Sequence, residues 1–275
     1  MTQQQPSQRP PFDRRILFGV MLACVAMYAL SAVVSALITG EGFAGVAQFL
    51  SEPYFEATQI LGAGGWAPIS RNQFWVLLAS GYLHANLSHI ALNMVGLLML
   101  LPPVQISFGL RRSFIIYTVA CIVGSATSAL WGEIYSLGAS TGVFGLLGAM
   151  VVIGLRIRGS WGQRFLLQAG ILIVANFGMG LFNADQVSNA GHFGGLIGGA
   201  AAAYALLYTG SSRGEQMVRL SFSAALAATV ICLTIGAGNG VYRSWQAIEA
   251  PQDLVKFILE RRAQDEALLP VAPPQ

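Results

Sequence analysis

Long apolar runs alternate with short polar turns along most of this chain, and that alternation predicts helices that cross a membrane. Seven runs qualify as candidate spans, at about 16–38, 84–101, 113–132, 139–156, 164–182, 189–209 and 218–239. A hydrocarbon core ~30 Å thick needs roughly 20 residues of helix, so each run suits one crossing. The first run is too long for the apolar core of a signal peptide. Three stretches fall outside the pattern. Residues 1–15, "MTQQQPSQRPPFDRR", are polar and predict a tail without fixed structure. Residues 39–83 carry aromatics and acids but no clean span, which predicts a partly structured loop at the membrane surface. Residues 210–275 predict a seventh span and then a flexible tail of mixed charge ending in "LLPVAPPQ". The expected fold class is an all-α polytopic membrane protein with a six-span core over residues 16–209.

Composition agrees and removes other classes. The chain is 55% hydrophobic and only 10% charged, against roughly 25% charged residues in soluble domains. A net charge of +3 spread along the chain gives no footprint for a nucleic-acid partner. Cys24, Cys121 and Cys232 each sit inside an apolar run, with neither metal-ligand spacing nor a disulfide framework. Charge also sets orientation. Arg9, Arg14, Arg15, Arg111, Arg112, Arg156, Arg158, Arg164, Arg213 and Arg219 flank one set of span ends. The opposite loops hold Glu41, Glu52, Glu56, Glu133 and Asp185, with Arg71 as their cation. By the positive-inside rule the N-terminus is cytoplasmic, and the first loop and the C-terminal tail face outside. The compact loops point to a plasma membrane of bacterial type.

Polar groups inside a bilayer are costly, so those that persist there carry a functional expectation. The chain has three histidines, His84, His89 and His192. The second span opens "HANLSHIALNMVGL", the fourth opens at Ser140, and the sixth opens "NAGHFGGLIGGA". All three start outside, which places His89, Asn93, Ser140 and His192 at one depth below the outer surface. His89 and Asn93 are four apart and share a helix face. His192, Gly195 and Gly199 fall within about 60° of one another at ~100° per residue. Thr141, Gly145 and Gly148 make a second small-residue stripe, with Ser140 on its edge. Two such stripes let helices approach closely, bringing Ser140 within reach of His192.

A serine hydroxyl needs a base to become a nucleophile, and a neutral imidazole serves near neutral pH. The oxyanion that forms needs donors; the Asn93 amide, the His89 ring and the free N–H groups opening the fourth helix can supply them. Other chemistries fit less well. Lys256 is the only lysine and lies in the outer tail, no Asp or Glu is central in a span, and there is no H-E-x-x-H. Zinc on the three histidines is disfavoured because His84 points away from His89 if the helix extends that far. Taken singly, each feature also reads as packing or as an interhelical clasp; it is their convergence from three helices that points to catalysis.

The same residues resemble the rhomboid family of intramembrane serine proteases. The resemblance covers about residues 16–209. It rests on His89-x-x-x-Asn93, with His84 matching an additional upstream histidine, on Gly138-Ala139-Ser140, and on His192 followed by Gly195-x-x-x-Gly199. It implies a Ser140–His192 dyad, oxyanion stabilisation by His89 and Asn93, and Phe144 stacked on the histidine. It also implies a cavity open to the outside, single-span membrane proteins in the lipid bilayer as substrates, and no metal or cofactor. The chain departs from the family pattern at Thr141, where glycine is usual, at Phe144, which has no hydroxyl, at Trp75-Val76, which lacks the arginine of a Trp-Arg pair, and in its seventh span. Two alternatives stay open: a pseudoprotease that binds spans without cutting them, and a transporter. The second would need inverted repeats and deep ionisable groups, and neither is visible.

Overall fold

The protein, in a computed structural model, is described over residues 12–182 and 187–268; Arg9, Asp185 and the closing residues 269–275 lie outside the described residues. Asp13 starts the first helix. Its carboxylate accepts the Arg15 N–H at 3.0 Å, giving α1 (Arg14–Ile38) a side-chain cap. That exposed carboxyl is held below its ordinary range by its hydrogen bonds with Arg15. The loop that follows is ordered by two 3-10 segments, Phe43–Phe49 and Ser80–Tyr82, and by α2 (Phe55–Leu61), α3 (Trp66–Ser70) and α4 (Val76–Ala79).

The second span begins later than its apolar pattern suggests. Asn86 caps α5 (Leu87–Phe108), its side-chain oxygen accepting the His89 N–H at 2.8 Å. The expected helical start at His84 is therefore wrong: His84 lies in the approach to the helix, and its bearing on His89 is not set by helical spacing. Gly109, at φ 82°, ends α5 and turns the chain into α6 (Leu110–Leu130). α7 (Ser140–Arg156), α8 (Ser160–Phe182), α9 (Asn189–Leu206) and α10 (Ser212–Glu249) complete an all-α polytopic architecture, with no β-strand among the described residues. Five of these helices, α1, α5, α6, α8 and α10, are long and apolar enough to cross a membrane. The fourth and sixth expected spans are the shorter α7, of 17 residues, and α9, of 18.

Packing places α9 between α6 and α7, with α5 and α8 against other faces of α7, and α1 and α10 beyond. Successive ends alternate between two rims. On one rim the Gln105 side chain donates to the Asp13 carbonyl at 2.8 Å, and Arg112 pairs with Glu215 and donates to Thr209. On the other rim lie the first loop, the α6–α7 loop and the start of α9.

The C-terminal segment is a correction to the expected flexible tail. Residues Pro251–Glu266 form α11, opened by Pro251 at a position where a missing N–H costs nothing. Helix α11 is held by charge to parts of the chain far away in sequence. Arg262 pairs with Glu56, and Arg71 pairs with Asp265. The Tyr135 hydroxyl donates to Asp265 at 2.8 Å and accepts from Arg71 at 3.2 Å. Asp265→Ala strips both Arg71 and Tyr135 of a partner, at a cost of about 1–3 kcal/mol. The expected result is faster tryptic cleavage at Arg261 and Arg262 in a limited-proteolysis time course; unchanged cleavage would refute the clasp.

Candidate active site

The site is built where three helices begin. The chain enters α7 through Gly138, whose φ of 133° favours glycine. A Cβ there would also lie 2.7 Å from Nε2 of His89, so the glycine makes room for that ring. The Gly138 N–H donates to the Ser80 carbonyl at 2.9 Å, tying the approach to the first loop. Ser140 is the first residue of α7, and Ala139 at the cap position offers no side-chain hydrogen bond to the opening N–H groups. α7 is about 26 Å long at ~1.5 Å per residue, shorter than α5, α6 and α8, of 22, 21 and 23 residues.

His192 lies one turn into α9, capped by Ser188. Its Nε2 is 3.0 Å from Ser140 Oγ. The ring is buried and fixed face to face by Phe144, at 4.1 Å between centroids and 13° between planes. Phe177 of α8 meets the edges of both rings, 5.4 Å from Phe144 and 6.4 Å from His192. No carboxylate hydrogen-bonds Nδ1 of His192 among the described residues, which bring together a serine and a histidine there.

His89 flanks the serine from α5. The point where a Gly138 Cβ would lie is 2.7 Å from His89 Nε2 and 3.5 Å from Ser140 Oγ. Asn93 is buried one turn deeper, and its amide donates to the His89 carbonyl at 3.0 Å. His84 is fully buried and sets its ring edgewise on His89, with centroids 5.2 Å apart. It backs His89 from the loop, an arrangement the helical projection did not give. No group of three or more His, Cys, Asp or Glu able to hold a metal occurs among the described residues.

Gly195 and Gly199 make the expected close approach. A Cβ on Gly195 would overlap the Thr141 carbonyl, and one on Gly199 would overlap the Gly145 backbone. A second glycine face on α9, missed in the sequence, meets α6: Cβ atoms on Gly194 and Gly198 would overlap Thr127 and Val123. Thr141 also has a structural explanation. Its side chain turns to α6, where Gly124 leaves space; a Cβ on Gly124 would lie 2.7 Å from Thr141 Cβ and Cγ2. Thr141→Gly should therefore cost about 1 kcal/mol of stability without changing how fast Ser140 is modified, as read by thermal unfolding beside probe labelling in detergent.

The fold and the site together define a polytopic helical membrane protein with a histidine bonded to a serine at its helix mouths. A family model, the Rhomboid domain, matches residues 71–209, and the chain belongs to the rhomboid family. Rhomboid protease GluP of Bacillus subtilis is 37% identical over 142 residues, 50% of this chain and 27% of that protein. RHOMBOID-like protein 7 of Arabidopsis thaliana is 32% identical over 157 residues, 56% of this chain and 50% of its own length. Rhomboid-like protease 3 of Toxoplasma gondii is 26% identical over 197 residues, 69% of this chain and 68% of its own. The chain thus spans half or less of the first two relatives. Family membership makes it a multi-pass membrane protein of the intramembrane protease or pseudoprotease kind.

Proposed function

We propose that the protein is an intramembrane serine endopeptidase that cuts membrane proteins in or near their transmembrane segments. The observation that carries this reading is the 3.0 Å contact between His192 Nε2 and Ser140 Oγ, with the imidazole clamped by Phe144. In the proposed reaction His192 takes the Ser140 proton as Oγ attacks the scissile carbonyl. The charge forming on oxygen is met by the His89 ring N–H, by N–H groups at the start of α7 and by the second N–H of the Asn93 amide. His192 then protonates the leaving amine, and water, deprotonated by the same ring, releases the acyl group. No metal or cofactor takes part.

Arginine placement supports a cytoplasmic N-terminus with the site opening to the outer side, and the compact loops favour a bacterial-type plasma membrane. The chain divides into a tail over 1–15, a catalytic core over 16–209, and an addition over 210–275 that includes the docked α11. The substrates are single-span membrane proteins. Labelling of the purified protein with a fluorophosphonate serine probe tests the reading. The wild type should be labelled and Ser140→Ala should not. A folded wild type that stays unlabelled would instead be a relative that captures spans without hydrolysing them.

A further inference from the structure

The two glycine faces of α9 pose a mechanical problem. Smooth faces allow close approach but offer few side chains to resist sliding along the helix axis, and sliding would change the depth of His192. Thr127 and Val123 seat in the notches at Gly194 and Gly198, and the start of α9 supplies a further fixed point. Ser188 caps α9: its Oγ accepts the Gly191 N–H at 2.8 Å, and its carbonyl accepts the His192 N–H at 3.0 Å. The same hydroxyl donates to Glu133 Oε1 at 2.8 Å and lies 2.8 Å from the Ser128 hydroxyl. A serine hydroxyl has one proton and two lone pairs. With that proton given to the carboxylate, Ser128 must be the donor in its own contact, so Ser188 is saturated. Gly191 completes the fit, since a Cβ there would lie 2.6 Å from both the Ser128 and Ser188 oxygens.

Glu133 is itself well anchored. Its N–H donates to the Ser128 carbonyl at 3.1 Å, and its carbonyl accepts the Trp66 N–H at 2.8 Å. Burial raises the carboxyl above its ordinary range, opposed chiefly by the hydrogen bond from the Ser188 hydroxyl. A carboxylate at this helix start also complements the helix dipole. We infer that Glu133 is a positioning residue for His192, acting through the Ser188 cap to fix the depth of α9 against Ser140.

This inference rests on the serine-hydrolase reading, and the experiment separates the two. Saturable labelling by a fluorophosphonate probe is measured for the full chain in detergent, giving the limiting rate and the half-saturating concentration, alongside thermal unfolding. Glu133→Ala and Ser188→Ala should each lower the limiting rate by about tenfold to a hundredfold with half-saturation unchanged. The double variant should be no slower than the slower single. Glu133→Gln and Ser188→Thr, which keep an acceptor and a hydroxyl, should recover most of the rate. If Glu133→Ala fails to fold, Ser188→Ala, which removes only the cap hydroxyl, carries the test. Wild-type rates in the alanine variants, additive losses, or no recovery in the conservative variants would overturn the inference. An unlabelled wild type would overturn the hydrolase reading instead.

Discussion

His192→Ala is expected to lower the rate of substrate cleavage by at least ~10⁴-fold, because residues that act as one catalytic unit lose nearly everything when one is removed. The geometry leaves no substitute base. Among the described residues His192 alone of the three imidazoles hydrogen-bonds Ser140 Oγ; His89 lies beside Gly138, and His84 is fully buried against His89. Without the imidazole the Ser140 proton has no acceptor at 3.0 Å, and the hydroxyl returns to its weak intrinsic nucleophilicity. Ser140→Ala should fall equally far, and the double variant no further. Cleavage of a reconstituted single-span protein, followed by gel, measures all three. Ser140→Ala should unfold close to wild type, whereas His192→Ala also empties the space stacked on Phe144 and should unfold lower. A His192→Ala protein that still cleaved within tenfold of wild type would remove histidine from the mechanism.

The second large effect is on assembly. A methyl group added at Gly199 would overlap the Cα, carbon and oxygen of Gly145, all backbone atoms with no rotamer to escape into. Gly199→Ala must push α9 away from α7, at about 3 kcal/mol or more, and it should also separate His192 from Ser140. Gly178 of α8 provides the contrast, because nothing lies within 4 Å of a Cβ built there. Gly178→Ala should be neutral or stabilising by up to about 1 kcal/mol. Thermal unfolding in one detergent, with probe labelling beside it, separates the two. Equal behaviour would show that the α7–α9 contact is looser than described.

Hydropathy located every long helix of the bundle, because lipid-facing and core-facing positions are both apolar. Its boundaries failed where helix continues into polar sequence. α10 extends to Ser212–Glu249 beyond the expected 218–239 because its ends carry Arg213, Glu215, Arg243 and Gln246, which are helical without being apolar. α11 lies outside the apolar pattern for the same reason, and pairing with Glu56, Arg71 and Tyr135 docks it. The polar residues at the helix mouths could be found from depth alone. The Ser188–Glu133 bond joins residues 55 apart, and no local pattern marks such a pair. Phe177 was hidden differently: an aromatic in an apolar run gives no sign that it will meet one particular ring. Gly195 and Gly199 share the His192 face of α9 and are legible with it, whereas Gly194 and Gly198, a short rotation away, have no polar residue to mark their face toward α6.

The glycine faces of α9 also bear on temperature. Helices that meet backbone to backbone bring few large side chains together, so little of their adhesion comes from releasing water. In lipid it comes mainly from dispersion and polar contacts. Attraction of that kind lacks the characteristic weakening of water-driven burial on cooling. The helix that bears His192 should therefore keep its grip on α6 and α7 in a cold membrane, under conditions where a core of the same size in water would begin to loosen.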